Sequence, residues 1–300
     1  MKKLACVLTF IVSTAVEAQL SRAAVSITGV DTNPCTVAAP CRSFSAAINQ
    51  TSGGGEVIAL DSGGYGPFNV TQSVTVMGAP GVHAGITALG GNAINVSLPP
   101  GGNVVLRTLY LNGGGTGNAG ISFTTGSGAQ LHVENLFMNG FTYGVYTYWA
   151  TRIDEAKILN CSTGVYVDNA GAAVSLTVNR LTVDGLGSTT TGFGLYVWRS
   201  ATVGLRDSLI MRTQTGVLVN SGAIQTMIES TSILHCLTGL DVDASVARIS
   251  NCLFANNDSY GVLAENNSIV ESWGNNRMRG NPGGDVVVLP TGAYNTVPMN

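Results

Sequence analysis

The chain has 300 residues, of which 45% are hydrophobic, 10% are charged and 39 are glycine. This apolar content excludes an intrinsically disordered chain, and 14 Lys and Arg against 17 Asp and Glu, a formal charge of -3, exclude a basic nucleic-acid-binding protein. Long surface helices would lack their usual Lys, Glu and Arg residues, whereas Gly, Thr, Ser, Asn and Val are plentiful. The composition therefore predicts a β-rich body.

The first segment has the three-part layout of a secretory signal. Two lysines precede an apolar run from Leu4 to Val16, and a small residue follows at Ala18. We therefore predict a signal peptide over 1-18 and export to the periplasm, the cell surface or the medium of a bacterium. The apolar run is too short for a membrane span, and none of the later segments approaches about 18 consecutive apolar residues, so no membrane span is predicted.

The next segment, DTNPCTVAAPC, contains two closely spaced cysteines, Cys35 and Cys41. In an oxidising compartment we expect them to form a disulfide that closes a small loop. Cys161, Cys236 and Cys252 are predicted to be buried thiols, because neither their spacing nor a nearby histidine fits a metal site.

A short phrase of glycine followed by alternating apolar residues returns along the rest of the chain. Its copies are GISF, GVYT, GVYV, GLYV, GVLV, GLDV and GVLA, which begin at Gly120, Gly144, Gly164, Gly194, Gly216, Gly239 and Gly261. Separations of 24, 20, 30, 22, 23 and 22 residues indicate one coil of a solenoid per copy. The longest interval contains the polar insertion DGLGSTTTG, which begins at Asp184.

Each coil also contains a second alternating phrase with a polar corner, such as VENLFMNG or VNRLTVDG. Period-2 alternation, many β-branched residues and glycine at the boundaries favour short strands over helices. We predict about three strands per coil, joined by tight turns. Coils stacked about 4.8 Å apart would give a rod of roughly nine coils, about 45 Å long.

This pattern resembles the right-handed parallel β-helix of pectate lyases, polygalacturonases, pectin methylesterases and phage tailspikes, the pectin-lyase-like superfamily. The segment CRSFSAAINQTSGGGEVIALDSGGY, followed by NVTQSVTVMG, is similar to the entry segment of many such proteins, in which an amphipathic helix precedes the first coils. The resemblance implies an N-terminal capping helix with Phe44, Ala47 and Ile48 on its apolar face. The segment DTNPC and the phrase GNNRMRGN are similar to exported bacterial β-helix proteins without an assigned activity.

The resemblance implies an all-β chain with one structural domain. We expect an N-terminal extension over 19-37 and a single parallel β-helix domain over 38-300. Function does not follow from this fold, because one scaffold carries many chemistries.

The catalytic phrases of known β-helix enzymes are absent from the sequence. It has no Arg-x-Pro-x-x-Arg phrase of pectate lyases, no polygalacturonase phrases and no Asp-Pro-His-Asp phrase of mannuronate epimerases. His83, His132 and His235 form no recognisable pair with a carboxylate or with one another, so a zinc site is not supported. No residue therefore receives a catalytic role by match.

Position within the repeat predicts which side chains face outward. Residues one and three after the glycine should enter the core, and residues two and four after it should form ladders on the surface. One end of this surface is aromatic and the other is acidic. We predict that the following residues contact a ligand: Tyr146, Tyr148, Trp149, Tyr166, Asp168, Tyr196, Trp198 and Asn220.

Aromatic rings suit the CH-rich faces of sugars, and carboxylates and Asn accept hydrogen bonds from hydroxyls. We therefore predict binding of an extended extracellular polysaccharide. We predict no cofactor, with Ca²⁺ as the alternative, because the same oxygens are ligands of Ca²⁺. A purely structural ladder, in which the rings stabilise the sheet by stacking, stays open as the alternative.

Two further functions stay open. The first is a polysaccharide lyase or glycoside hydrolase with Asp241, Asp243 and Glu265 as catalytic residues. Strand geometry places Asp241 about 7 Å from Asp243, and Glu265 about 5 Å from Asp243, as in paired-carboxylate glycosidases. The second is a structural or adhesive surface protein, and the oligomeric state is left open.

Overall fold

The computed structural model describes residues 19–169, 171, 173–185 and 192–298. The predicted signal peptide, 1-18, lies outside the described residues, as does most of the polar insertion. The described chain forms one short helix, α1 (Phe44–Gln50), and 28 strands. This helix is too short to cross a membrane.

Ten strands precede or begin the repeated region. They are β1 (Leu20–Val25), β2 (Thr51–Ala59), β3 (Gly63–Gly64), β4 (Phe68–Val70), β5 (Val74–Gly78), β6 (Ala84–Thr87), β7 (Ile94–Ser97), β8 (Asn103–Arg107), β9 (Leu109–Thr125) and β10 (Gln130–Thr147).

The repeated coils contribute the other strands. They are β11 (Ala150–Leu159), β12 (Thr163–Val167), β13 (Val174–Asn179), β14 (Thr182–Asp184), β15 (Phe193–Val197), β16 (Ala201–Arg206), β17 (Leu209–Met211), β18 (Thr215–Val219), β19 (Gln225–Glu229), β20 (Ser232–Leu234), β21 (Thr238–Asp243), β22 (Val246–Ser250), β23 (Leu253–Ala255), β24 (Tyr260–Glu265), β25 (Ile269–Ser272), β26 (Arg277–Arg279), β27 (Gly284–Val288) and β28 (Ala293–Thr296).

Every strand pairs in parallel with its equivalent in the next coil, which makes a parallel β-helix of about nine coils, as predicted. In the described residues the paired strands form three rows along the rod. The row that contains the repeated glycines passes through β4, β7, β9, β10, β12, β15, β18, β21, β24 and β27.

The predicted inward positions of the repeat form the core. Each of the following side chains is 0% exposed: Val145, Thr147, Val165, Val167, Leu195, Val197, Val217, Val219, Leu240 and Val242. The repeated glycine has a steric cause, because a Cβ at Gly194 or Gly216 would lie 2.5 Å from the carbonyl oxygen of the next coil's glycine. The predicted register is therefore confirmed.

The N-terminal segment packs onto the first coils. Strand β1 pairs in parallel with β2, so part of the segment predicted as an extension contributes to the sheet. In α1, Phe44 is buried against the rings of Tyr65 and Phe68, at centroid distances of 5.1 and 4.8 Å. That α1 closes the open end of the core stays a prediction.

The cysteine predictions are confirmed. Cys35 and Cys41 form a disulfide, and their Cα atoms are 4.6 Å apart. Cys161, Cys236 and Cys252 are buried thiols. Burial raises the pKa of Cys161 and Cys252 to about 11, so neither thiol is a reactive thiolate near neutral pH.

Candidate functional site

The outer face consists of the outward side chains of β10, β12, β15, β18, β21 and β24. Directly paired residues two positions after the glycine form its first ladder, which reads Tyr146, Tyr166, Tyr196, Leu218, Asp241 and Leu263. Residues four positions after the glycine form the second ladder, which reads Tyr148, Asp168, Trp198, Asn220, Asp243 and Glu265. The sequence prediction of two parallel ladders therefore matches the strand pairing.

One end of the outer face is an aromatic cluster of seven half-buried rings, with centroid distances of 4.7 to 5.7 Å between contacting rings. The members are Tyr143, Tyr146, Tyr148, Tyr166, Phe193, Tyr196 and Trp198. Sequence reasoning missed Tyr143 and Phe193, although each immediately precedes a repeated glycine and lies in the same register.

The rings make two kinds of contact. Tyr146 and Tyr166 are stacked at an interplanar angle of 10°, whereas Tyr166 and Tyr196 meet at 88°. The hydroxyl groups of Tyr146 and Tyr148 are hydrogen-bonded at 2.6 Å. Burial raises the pKa of Tyr146 and of Tyr166, so their hydroxyls stay protonated across the physiological range.

Trp149 does not join this cluster. It immediately follows the outward Tyr148 and lies at the corner between β10 and β11, where it packs against the hydrophobic core. Its indole Nε1 is buried and has no hydrogen-bond partner within the described part of the chain. Alternation along the strand is the reason, because consecutive residues face opposite sides.

Asp168 forms an ion pair with Arg199 within the protein. Its side chain is 8% exposed and accepts two hydrogen bonds from Arg199, from Nε at 3.0 Å and from Nη2 at 2.8 Å. The Arg199 guanidinium also lies 5.7 Å from the ring centroid of Trp198. Sequence reasoning missed Arg199, because it follows the strand at a corner where alternation no longer predicts direction.

The acidic end contains the three predicted catalytic carboxylates. Asp243 pairs directly with Glu265 on the next strand, and Asp241 lies two residues before Asp243 on β21. The Asp243 Oδ1 accepts a hydrogen bond of 2.7 Å from Asn266 Nδ2. No group of three or more His, Cys, Asp or Glu that could hold a metal ion occurs among the described residues.

Asp241 has an unusual environment for a carboxyl group. Its neighbours on the first ladder are Leu218 and Leu263, and its Oδ1 is buried without a hydrogen-bond partner in the described structure. Burial, followed by the nearby charges of Glu265 and Asp243, raises the pKa of Asp241 to about 7. A carboxyl group with this pKa can donate or accept a proton near neutral pH.

A second polar cluster lies on a different face, formed by β8, β10, β11 and β13. His132 Nε2 is 2.9 Å from an Asp154 oxygen, and His132 Nδ1 is 3.2 Å from a Glu134 oxygen. The prediction that His132 forms no pair with a carboxylate is therefore wrong: Asp154 belongs to the next coil, and Glu134 lies two residues further along the same strand, on the same side of it. A groove of about 360 Å³ lies beside His132 and Arg152.

The charges of this second cluster compensate one another. Burial alone would raise the pKa of Asp154. Hydrogen bonds from Arg152, Asn179 and His132 outweigh burial and hold this pKa well below its usual range. Glu134 pairs with Arg107. Because these groups are paired internally, the cluster is best explained as a polar network that stabilises the sheet.

Comparison with solved structures finds the same architecture in polysaccharide-degrading enzymes. An alginate lyase from Paenibacillus sp. str. FPU-7 is 11% identical, with 92% of this chain and 98% of that chain covered and a TM-score of 0.65. A GH87 α-1,3-glucanase from Streptomyces thermodiastaticus strain HF3-3 is 12% identical, with 91% and 67% covered and a TM-score of 0.56. At these identities the likeness shows the fold alone.

Comparison with curated proteins finds no match to this chain. Residues 143–298, just over half of the chain, match the family model described as "Right handed beta helix region". The match begins within β10 and contains all the coils that form the outer face. The chain therefore belongs to the right-handed β-helix family.

Proposed function

We propose that this protein is exported and binds an extended polysaccharide along the outer face. The aromatic cluster supports the proposal most directly, because five of its seven half-buried rings lie on the same two ladders as the carboxyl groups of the acidic end. The alginate lyase and the α-1,3-glucanase that share the fold act, by name, on polysaccharides. The Cys35–Cys41 disulfide agrees with an oxidising compartment outside the cytoplasm.

The end of the cluster nearest β18 supports ligand contact rather than packing alone. Tyr196 is followed on its ladder by Leu218, and Trp198 is followed by Asn220, so neither ring is covered by a further ring on that side. Asn220 Nδ2 donates a hydrogen bond of 3.2 Å to the Tyr196 hydroxyl. An apolar ring beside amide and hydroxyl groups is the combination that sugar rings require.

The test is retention of the protein on a panel of plant, algal and bacterial polysaccharides. Tyr166→Ala and Trp198→Ala should each weaken binding about fivefold or more, which is about 1 kcal/mol, while the far-UV circular dichroism is unchanged. Tyr110→Ala is the matched control, because Tyr110 is a partly exposed tyrosine outside the outer face. Absence of retention across the panel would contradict the proposal and favour a structural or adhesive role.

A second candidate function is glycoside hydrolysis, and the environment of Asp241 favours it. Asp241 would act as the general acid, and Asp243 or Glu265 would supply the second carboxylate. Two residues apart on one strand, Asp241 and Asp243 are about 7 Å apart, within the range of inverting glycosidases.

The hydrolase test measures new reducing ends from any polysaccharide that the protein retains. Asp241→Asn should abolish their release but leave retention unchanged, because the amide keeps the shape of the side chain. Unsaturated products would indicate a lyase instead. Retention without either product would leave the protein as a binding protein without catalytic activity.

A further inference from the structure

We infer that the polysaccharide bound by the outer face is uncharged, and that this face rejects polyuronates and other acidic glycans. The inference rests on the function proposed above and specifies the class of its ligand. It comes from the balance of charges on the outer face, and it differs from what the name of the structurally similar alginate lyase would suggest.

The acidic groups on the outer face outnumber its cations. The described side chains on the two ladders include four carboxyl groups, those of Asp168, Asp241, Asp243 and Glu265, and no Lys or Arg. Arg199 follows β15, and two of its nitrogens donate hydrogen bonds to Asp168. This pair is neutral as a whole, so the face keeps an excess of negative charge.

Arg212 is also neutralised by a carboxylate. Arg212 lies at the corner before β18 and pairs with Asp184 through both Nε and Nη2. Recognition of a carboxylate usually relies on an Arg or Lys that can form charge-assisted hydrogen bonds with it. Arg199 and Arg212 already make such bonds within the protein.

The acidic end would repel an added anion. Burial, together with the charges of Glu265 and Asp243, already raises the pKa of Asp241. A uronate carboxylate placed beside these groups would meet the same repulsion in the same partly buried surroundings. A sugar hydroxyl would instead donate a hydrogen bond to a carboxylate oxygen, which requires no counter-ion.

The experiment compares a neutral glucan with the same glucan oxidised at C6 to its uronate, alongside natural neutral and acidic polysaccharides. At low ionic strength, the dissociation constant for the neutral form should be at least tenfold lower than for the oxidised form. The difference between the two dissociation constants should decrease as salt is added, because salt screens the repulsion. Affinity for the neutral form should change little with salt.

Charge removal provides the second arm. The double variant Asp243→Asn with Glu265→Gln should lower the ratio of the dissociation constant for the oxidised glucan to that for the neutral glucan several-fold relative to the unmodified protein, because it removes the charges that repel the uronate. Glu155→Gln is the matched control, because Glu155 is an exposed carboxylate on a different face. It should change neither affinity.

The outcomes separate the two proposals. Equal or tighter binding of acidic glycans by the unmodified protein would overturn the inference about charge and leave polysaccharide binding at the outer face intact. Loss of that acidic-glycan binding in Trp198→Ala would then confirm the face as the site. Failure to bind either class would overturn both proposals together.

Discussion

The aromatic and acidic halves of the outer face lie on the same ladders, and the pairing of β15, β18 and β21 continues without a shift in register. In the aromatic half, Tyr166 lies between Tyr146 and Tyr196, and each ring covers part of the next. In the acidic half, the equivalent position holds Asp241 between Leu218 and Leu263. The same backbone geometry therefore gives ring contacts in one half and a poorly solvated carboxyl group in the other.

The comparison separates what specifies the fold from what specifies the site. Inner residues such as Val197, Val219 and Val242 are alike in both halves and are fully buried. They determine the register, and the outward residues are then brought together whatever their chemistry. The neighbours along the ladder, and not the position itself, decide whether a side chain packs, pairs or titrates.

The largest effect on stability should come from a substitution in the core, because both halves of the outer face depend on the same buried residues. Val219→Asp would place a carboxylate at a position that is 0% exposed. We expect a loss of at least about 4 kcal/mol in the free energy of unfolding, because an unpaired buried charge is costly. Urea unfolding followed by circular dichroism measures it.

Ser221→Asp is the control, since this exposed residue lies only two positions further along the chain. It should change the free energy of unfolding by less than about 0.5 kcal/mol. A Val219→Asp protein as stable as the Ser221→Asp protein would mean that β18 does not have the register described here.

Alternation within strands was enough to predict the inner residues and both outward ladders, because each side chain of a strand faces either the core or the surface. It failed at corners. Arg199 turns back to Asp168, since it lies outside the regular strand, whereas Trp149 packs against the core, as alternation after the outward Tyr148 requires. Contacts between coils such as His132 with Asp154 were also missed, because coil lengths from 20 to 30 residues leave the partner undetermined.

The next effect distinguishes the acidic half and depends on pH. Asp241 has a pKa of about 7 in the folded protein against an ordinary value of 3.8, so the native state binds the extra proton between these values. Stability should therefore fall as pH rises from about 4 to 7 and stay low above it. Asp241→Asn cannot ionise and should escape this loss.

The measurement is the free energy of unfolding at pH 4.5 and at pH 8 for both proteins. One pKa unit corresponds to about 1.4 kcal/mol, and local relaxation reduces the full value, so Asp241→Asn should gain about 2–3 kcal/mol relative to the unmodified protein between these two pH values. Asp258→Asn removes an exposed carboxylate and should show no comparable gain. Parallel pH profiles for all three proteins would refute the burial of Asp241.

A smaller effect distinguishes the aromatic half. Tyr166→Leu keeps an apolar side chain, as found at Leu218 in the acidic half, but removes ring contacts with Tyr143, Tyr146 and Tyr196. We expect a loss of about 1–2 kcal/mol in the free energy of unfolding. Tyr260→Leu is the control, because the Tyr260 ring contacts no other ring in the described part of the chain. Equal losses in both variants would show that bulk, and not ring contact, stabilises the cluster.

The smallest effect concerns the polar edge of the aromatic half. Tyr148→Phe removes only the hydroxyl group that is hydrogen-bonded to Tyr146 at 2.6 Å, and the ring contact at 5.3 Å stays. A partly buried neutral hydrogen bond contributes about 0.5–1.5 kcal/mol, so the loss of stability should be about 1 kcal/mol or less. The same bond helps to raise the pKa of Tyr146, so spectrophotometric titration of Tyr148→Phe should show a tyrosine that ionises at lower pH than in the unmodified protein. An unchanged titration would mean that the two hydroxyls are not paired in solution, and that the edge of the cluster is free to bind sugar hydroxyls instead.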